Sequence, residues 1–439
     1  MRMLISNHIA LNGDDGSIAS EVSWRTEGAT IVVQPSEGSE LARRFSSGTF
    51  VIAPTDGSKI ESVGGDELLF VDGRSRREPY LCLVATATKS FSLSVRGNLI
   101  TESVDVPKAA TREQLIEMHG IDAPAGSALA DQVTRLADIL PWFQHNALVH
   151  YLSPRGLEQY SGGGWGTRDV TQGPVEMLLA LGLHAPVRDL IVRVMHAQAS
   201  DGDWPQWFMF FEREREIRAG DSHGDIVFWP LLALAQYLIA SGDSSILDQP
   251  VSFYSSHNGL PPVPLWKHVE KALKVIERRI VSGTALAAYG HGDWNDALQP
   301  ADPEMREHMC SAWTVTLHHQ VLTTLAHALR SVGRDHEATR FENWATNVKR
   351  DFQRVLLVDG VLTGYALFES EGKVNYLLHP RDKITGVRYS SLAMIHAVLE
   401  DLLTPEQVRD HLRLIDLHLI GPDGVRLFDR PMNYHGGTM

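Results

Sequence analysis

The stretch YGHGDWNDALQP, residues 289–300, gathers groups that can move a proton. Asp293 and Asp296 stand three apart and flank Trp294 and Asn295. A carboxyl group set against an indole loses water, and desolvation raises its pKa toward the range a general acid needs near neutral pH. The same spacing also suits a polar turn in which an aspartate caps the segment that follows. Composition alone leaves both readings standing.

Two earlier stretches carry related chemistry. In RGLEQYSGGGWGTRDVTQGPVE, residues 155–176, glycines surround Trp165 and let the backbone approach a flat ligand. Arg168 and Asp169 close that loop. An adjacent donor and acceptor can grip neighbouring hydroxyls from two sides. The plainer alternative makes Asp169 a helix cap and pairs Arg168 with a local carboxylate. In SDGDWPQWFMFFEREREIRAGDSHGDIVFWP, residues 200–230, Trp204, Trp207, Phe208, Phe210 and Phe211 crowd together before a charged run. Aromatic faces of this kind stack on the C–H faces of sugar rings; alternatively they form a satellite apolar cluster under a loop. Glu214 and Arg215 read as a solvated face with local ion pairs. His223 lacks a second histidine at ligand spacing, so no metal site is expected there. LHHQ at 317–320 sits in an apolar helical stretch and reads as a satisfied core or surface pair.

Other chemistries find no support. The sequence holds no G-x-S-x-G, P-loop, H-E-x-x-H or strand-borne G-x-G-x-x-G. The formal net charge of −14, without a Lys/Arg run, argues against a nucleic-acid partner. Cys82 and Cys310 have no metal-binding spacing and point to a reducing compartment. The N-terminus shows no signal-type apolar region, and the run IVFWPLLALAQYLIA reads as a buried helix rather than a membrane span. A cytoplasmic protein without membrane contact is expected.

The elements that must position these loops change character along the chain. Residues 1–107 hold short apolar runs such as ATIVVQP, GTFVIAPT and YLCLVATAT between Gly, Asp, Ser and Pro, the pattern of a β-sandwich or part of one. Residues 108–127 read as a linker helix and loop. From 128 to 439 apolar residues recur three and four apart, predicting helices over 128–150, 172–183, 186–199, 224–241, 264–281, 303–332, 335–356, 386–402 and 404–414. Helices alternating with loops, without repeated strands, argue against a parallel α/β fold and suit a ring of helical hairpins whose loops converge.

Taken in order, GGGWGTRDVTQGPVE, DGDWPQWF, GDSHGDIVFWPLLALAQYLIASGD, GHGDWNDA and SAWTVTLHHQ resemble the catalytic region of the glycoside hydrolase family 94 phosphorylases. That group includes cellobiose and chitobiose phosphorylases and the phosphorylase-like module of cyclic β-1,2-glucan synthases. The resemblance spans residues 128–435 and implies a mainly α fold, an (α/α)6-type helical toroid incomplete at its C-terminus, behind the β-sandwich-like region. It implies that Asp296 is the general acid and that Trp294 lines the sugar site beside Asn295. Arg168 and Asp169, matching the family's F-R-D, would hold the sugar on the non-reducing side, with Trp165 close by. Pro205, Gln206 and Trp207 would lie near the leaving sugar. Of the family's S-D-D, only Asp225 carries across onto SHGD.

The implied reaction is inverting. Ordinary inverting glycosidases hold two carboxyl groups roughly 6.5–9.5 Å apart with a water between them. In the phosphorylases inorganic phosphate replaces that water, and a β-linked oligosaccharide yields an α-sugar 1-phosphate without any cofactor. Family members are considerably longer, so the resemblance also implies a fragment or split product, with a homodimer or a complementary C-terminal chain as partner. An inverting hydrolase or glucan-remodelling module stands as an alternative, with Glu158, Glu212 and Glu214 as the first bases to test. A sugar-binding fragment without turnover is a third.

Overall fold

The computed structural model describes residues 2–8, 23–35, 37, 42, 47–55, 58–86, 90–98, 121–152, 164–209, 215–220, 222–254, 261–295, 303–369, 372–422 and 424–432. Contacts divide the chain into two units, Met1–Gly164 and Trp165–Met439. The linker helix expected within 108–127 falls largely outside the described residues.

The first unit is built on two antiparallel sheets. One has the order β1 (Arg2–His8), β6 (Tyr80–Thr86), β5 (Lys59–Gly64). The other runs β2 (Ser23–Glu27), β3 (Thr30–Gln34), β4 (Thr49–Thr55), β7 (Ser92–Asn98). Side chains alternate faces along a strand. Ile31 and Val33 of β3 and Leu81 and Leu83 of β6 therefore point one way along their strands, and all four join Ile52 in one apolar cluster. Both sheets feed that cluster. Helix α1 (Ala130–Leu152) belongs to the same unit.

The second unit is mainly helical: α2 (Thr167–Thr171), α3 (Gly173–Ala180), α4 (His184–His196), α5 (Trp229–Ser241), α6 (Leu265–Arg278), α7 (Pro303–His308), α8 (Ala312–Ser331), α9 (Asp335–Asp351), α10 (Ser391–Leu399) and α11 (Pro405–His418). Between the first two of these and the α4–α5 region, β8 (Gly164–Gly166) pairs with β9 (Trp207–Met209). Helix α5 is buried almost all round, from Trp229 to Leu238, and Gly242 ends it in the left-handed conformation at φ 68°. It packs against α8, whose Val315, Leu322 and Leu329 share its core. No helix among the described residues is long and apolar enough to cross a membrane.

Several boundaries differ from the sequence reading; the helix expected over 386–402, for one, spans Ser391–Leu399. The helix expected over 303–332 is interrupted at β10 (Met309–Ser311). That segment pairs with β11 (Tyr365–Phe368), which pairs in turn with β12 (Val374–Leu377), so three strands lie inside the helical region. Non-local hydrogen bonds to β11 override the local helical pattern. Ser311 then starts α8 as an N-cap, its hydroxyl accepting from the Thr314 amide. Likewise α5 begins at Trp229, after a 3-10 turn at Ile226–Phe228.

LHHQ also differs from its reading. His318 is fully buried between the rings of Phe228 and Trp344, at centroid distances of 5.1 and 5.3 Å. Neither of its ring nitrogens has a hydrogen-bond partner among the described residues. Burial pushes its pKa down to about 3, and that of His319 to about 4. An unfolded histidine takes its proton near pH 6.5, so these two groups stabilise the fold above that pH and lose the contribution as pH falls. Replacing His318 with leucine, which fills similar space without polar atoms, is expected to remove one such slope, about 1.4 kcal/mol per pH unit between about 6 and 4. Denaturant melts of parent and His318→Leu across that range check it; parallel pH profiles would refute it.

Candidate active site

Short backbone contacts bring the three loops together. The GTRD segment is fixed to WPQW by the β8–β9 pairing, by the Thr167 amide donating to the Gln206 carbonyl (2.8 Å), and by the Thr167 hydroxyl donating to the Pro205 carbonyl (2.6 Å). SHGD is fixed to GDWND by the Gly224 amide donating to the Gly292 carbonyl (2.8 Å) and by a bridge between His223 and Gly290. The approach is backbone on backbone: a Cβ on Gly224 would lie 2.3 Å from the Tyr289 carbonyl oxygen. A Cβ on Gly290, which sits at φ 64°, would lie 3.1 Å from the Gly224 Cα, so a side chain at either position would press the two loops apart.

Side chains complete the assembly. Arg168, only 8% exposed, donates through Nη1 to Asp225 Oδ2 at 3.2 Å. The Trp229 indole N–H donates to the same oxygen at 2.9 Å. Asp225 Oδ1 is buried and has no hydrogen-bond partner among the described residues. Burial raises the Asp225 pKa, against the opposing pull of Arg168, the Trp229 bond and His223. The partner of Arg168 is thus a distant carboxylate rather than a local one.

Asp293 is 0% exposed. Its Oδ1 accepts the Asn295 amide at 2.9 Å, and its Oδ2 accepts the Thr314 hydroxyl at 3.0 Å. Both oxygens are thereby used to tie the GDWND loop to itself and to α8. Burial, opposed by a Ser311 hydrogen bond and reinforced by the charge of Asp225, pushes its pKa up to about 7. Two carboxyl groups therefore share one buried region with one guanidinium.

Beside them runs a row of indoles. Trp294 is 45% exposed, and its ring lies 6.0 Å from Trp313, which lies 6.1 Å from Trp229. Trp294 is the open end of a row whose other end holds Asp225, and its exposed face is available for stacking on an apolar ligand surface.

The remaining expected site residues divide. Asp169 is half-buried and its carboxylate curls over Gly166, where a Cβ would come within 1.8 Å of Oδ2. Neither α2 nor α3 has a side-chain cap, so Asp169 does not cap a helix. Gln206, Trp207 and Asn295 are half-buried at the loop junctions. Trp165 is different: at 2% exposure it lies in the core, edge-on to Phe208 at 6.0 Å, with no face open to a ligand. Asp296 lies outside the described residues, as do Phe210, Phe211, Asp221, Glu158, Glu212 and Glu214. Sequence reasoning missed Trp229, Trp313 and Thr314 as members of the cluster; each reads locally as a helix residue. No group of three or more metal-ligating side chains occurs among the described residues.

Comparison with known proteins agrees with the order of these loops. Residues 135–374 match the family described as Glycosyl hydrolase 94 superfamily, catalytic domain. Over 307 residues the chain is 42% identical to a 1,2-beta-oligoglucan phosphorylase of Listeria innocua, a match covering 68% of this chain and 27% of that relative. The chain thus spans about a quarter of the length of the curated relative it matches. Among solved structures, a GH78 family rhamnosidase of Bacillus sp. GL1 covers 92% of this chain and 39% of its own at 12% identity and a TM-score of 0.46. A bacterial glucoamylase complexed with acarbose covers 90% and 58% at 10% identity, also with a TM-score of 0.46.

Proposed function

The chain belongs to the glycosyl hydrolase 94 superfamily, and from that premise we propose that it carries the catalytic centre of an inverting β-glucoside phosphorylase on an (α/α)6-type toroid. The observation that supports this most directly is the convergence of GTRD, SHGD and GDWND on one buried carboxylate–guanidinium cluster beside the exposed Trp294. A β-linked gluco-oligosaccharide would lie against Trp294, with Arg168 and Asp169 at the sugar on the non-reducing side and Gln206 and Trp207 near the leaving sugar.

In this reading Asp296 gives its proton to the glycosidic oxygen as the bond to the anomeric carbon breaks. Inorganic phosphate attacks that carbon from the opposite face, and the product is an α-sugar 1-phosphate and a shortened glucan. Asp293 shapes the loop: both of its oxygens are engaged, and it has no exposed surface from which to reach a substrate. The name of the Listeria innocua relative makes β-1,2-linked oligoglucans the first substrates to offer.

The test is incubation with β-1,2-oligoglucans, with and without phosphate, followed by assay for sugar 1-phosphate and for free glucose. Sugar 1-phosphate formed only with phosphate is the expected result. Phosphate-independent glucose release would replace this reading with an inverting hydrolase. Glucan binding without turnover, unchanged in Asp296→Asn, would replace it with a binding fragment.

A further inference from the structure

A second feature of the helical unit differs in charge from the carboxylate cluster. Two adjoining cavities, of about 550 and 410 Å3, share Ser222, Arg279 and His291 as walls. Arg278 and Arg306 line the larger and Arg218 the smaller. Among the described residues, the carboxylates of this lining are Asp201, Asp203 and Glu307. Asp203 is taken by Arg279, and Asp201 is used by the Asp203 amide within its own turn. Arg218 lies over the Tyr254 ring at 3.8 Å rather than on a carboxylate. One N–H group on each of Arg218, Arg279 and Arg306 is buried without a hydrogen-bond partner among the described residues. Unsatisfied buried donors of this kind are costly. Burial, only partly offset by Tyr254 and by the charge of Asp201 and worsened by Arg215, holds the Arg218 pKa below its usual value.

The dipole at the C-terminal end of α6 accounts for a cation at Arg278 or Arg279. It does not account for Arg306, which comes from α7, or for Arg218, which follows β9. Four guanidinium groups from three segments therefore converge on one space, against three carboxylates among its described lining.

We infer that this arginine-lined cleft is an oxyanion-binding site, separate from the carboxylate cluster, for phosphate or the phosphoryl group of a sugar phosphate. Planar guanidinium forks match the geometry of a phosphoryl group. The second cavity gives room for a sugar ring, with Ser222, His291 and Asp201 as hydroxyl partners. The site touches the GDWND loop directly, since the Arg306 carbonyl accepts the Gly290 amide at 3.0 Å and His291 forms part of the wall. Occupancy would therefore hold one side of the loop that carries Trp294. Nothing in this depends on phosphorolysis, so the inference and the proposed function can fail separately.

Calorimetric titration of the full chain with inorganic phosphate, glucose 6-phosphate and glucose tests it. Both phosphates should bind and glucose should not. Tighter binding of the ester would assign the ring to the second cavity, whereas equal binding would assign the site to phosphate alone. Each of Arg278→Gln and Arg306→Gln should weaken phosphate binding about 10-fold or more, as expected for the loss of a charge-assisted hydrogen bond. Arg306→Lys should recover part of the loss. Arg278 is exposed, so its replacement leaves the fold intact. Arg340→Gln, an exposed change of equal charge paired with Glu277, should leave binding as it was. No binding by the parent, equal losses in Arg340→Gln, or loss in Arg168→Lys but not in the cleft variants would each overturn the inference.

Discussion

Asp296→Asn is expected to slow phosphorolysis of a β-1,2-oligoglucan by about 10²–10⁴-fold, the usual contribution of a positioned general acid. An alkoxide sugar is a poor leaving group, so bond cleavage depends on a proton delivered in the transition state. The amide is nearly isosteric with the acid but has no proton of suitable acidity to give. An activated aryl β-glucoside, whose phenolate leaves unaided, should lose far less rate, and the contrast between the two substrates separates a lost proton from a displaced loop. The rival acid is Asp293, buried with a pKa pushed up to about 7 and three positions away. Its replacement by asparagine keeps one acceptor oxygen, for the Asn295 amide, and puts an NH2 donor where Oδ2 accepted the Thr314 hydroxyl, so the loop loses one tie to α8. Asp293→Asn should therefore slow both substrates alike through loop position and leave the alkaline limb of the pH–rate profile where it was. An alkaline limb abolished in Asp293→Asn but kept in Asp296→Asn would exchange the two roles.

Much of this site was legible in the sequence because its loops carry residues that helices and strands avoid. GTRD, WPQW, SHGD and GDWND each mix glycine or proline with charge or indole, and the structure joins SHGD to GDWND through backbone contacts that only glycine permits at positions 224 and 290. What was not legible is non-local. Asp225 shows nothing in its own neighbourhood that names Arg168, 57 residues away, as its partner. Trp229 and Trp313 sit in apolar helices and look like ordinary core, yet they connect Asp225 to the exposed Trp294. Trp165 misled in the opposite direction: flanking glycines suggested an open ring face, but the indole is 2% exposed and lies in the core. Met309–Ser311 was hidden for the same reason as the ion pair. Its strand character comes from β11, more than fifty residues further along the chain, and leaves no local period.

The Arg168–Asp225 pair gives the largest expected change in stability. Asp225 has no solvent exposure and Arg168 very little, so removing either partner leaves a buried charge without its counter-ion. Arg168→Met and Asp225→Asn should each cost about 3–5 kcal/mol, the range for breaking such pairs. The double variant should cost clearly less than the sum, because neither orphaned charge remains. The two single variants should also differ with pH. Without Arg168, Asp225 loses the main charge that opposes its burial, and its folded pKa rises further above that of an unfolded aspartate. A carboxyl group shifted upward favours the fold only while protonated. That contribution is fully present below the unfolded pKa, near 3.9, and is lost as pH rises through the folded value. The deficit of Arg168→Met relative to the parent should therefore widen from pH 4 to pH 7, while that of Asp225→Asn should narrow, because only the parent loses the contribution of its raised carboxyl as pH rises. Denaturant melts of the four proteins across that range read out both effects. Additive losses with parallel pH profiles would show that Arg168 and Asp225 contribute independently, and the buried pair would not be what holds GTRD to SHGD.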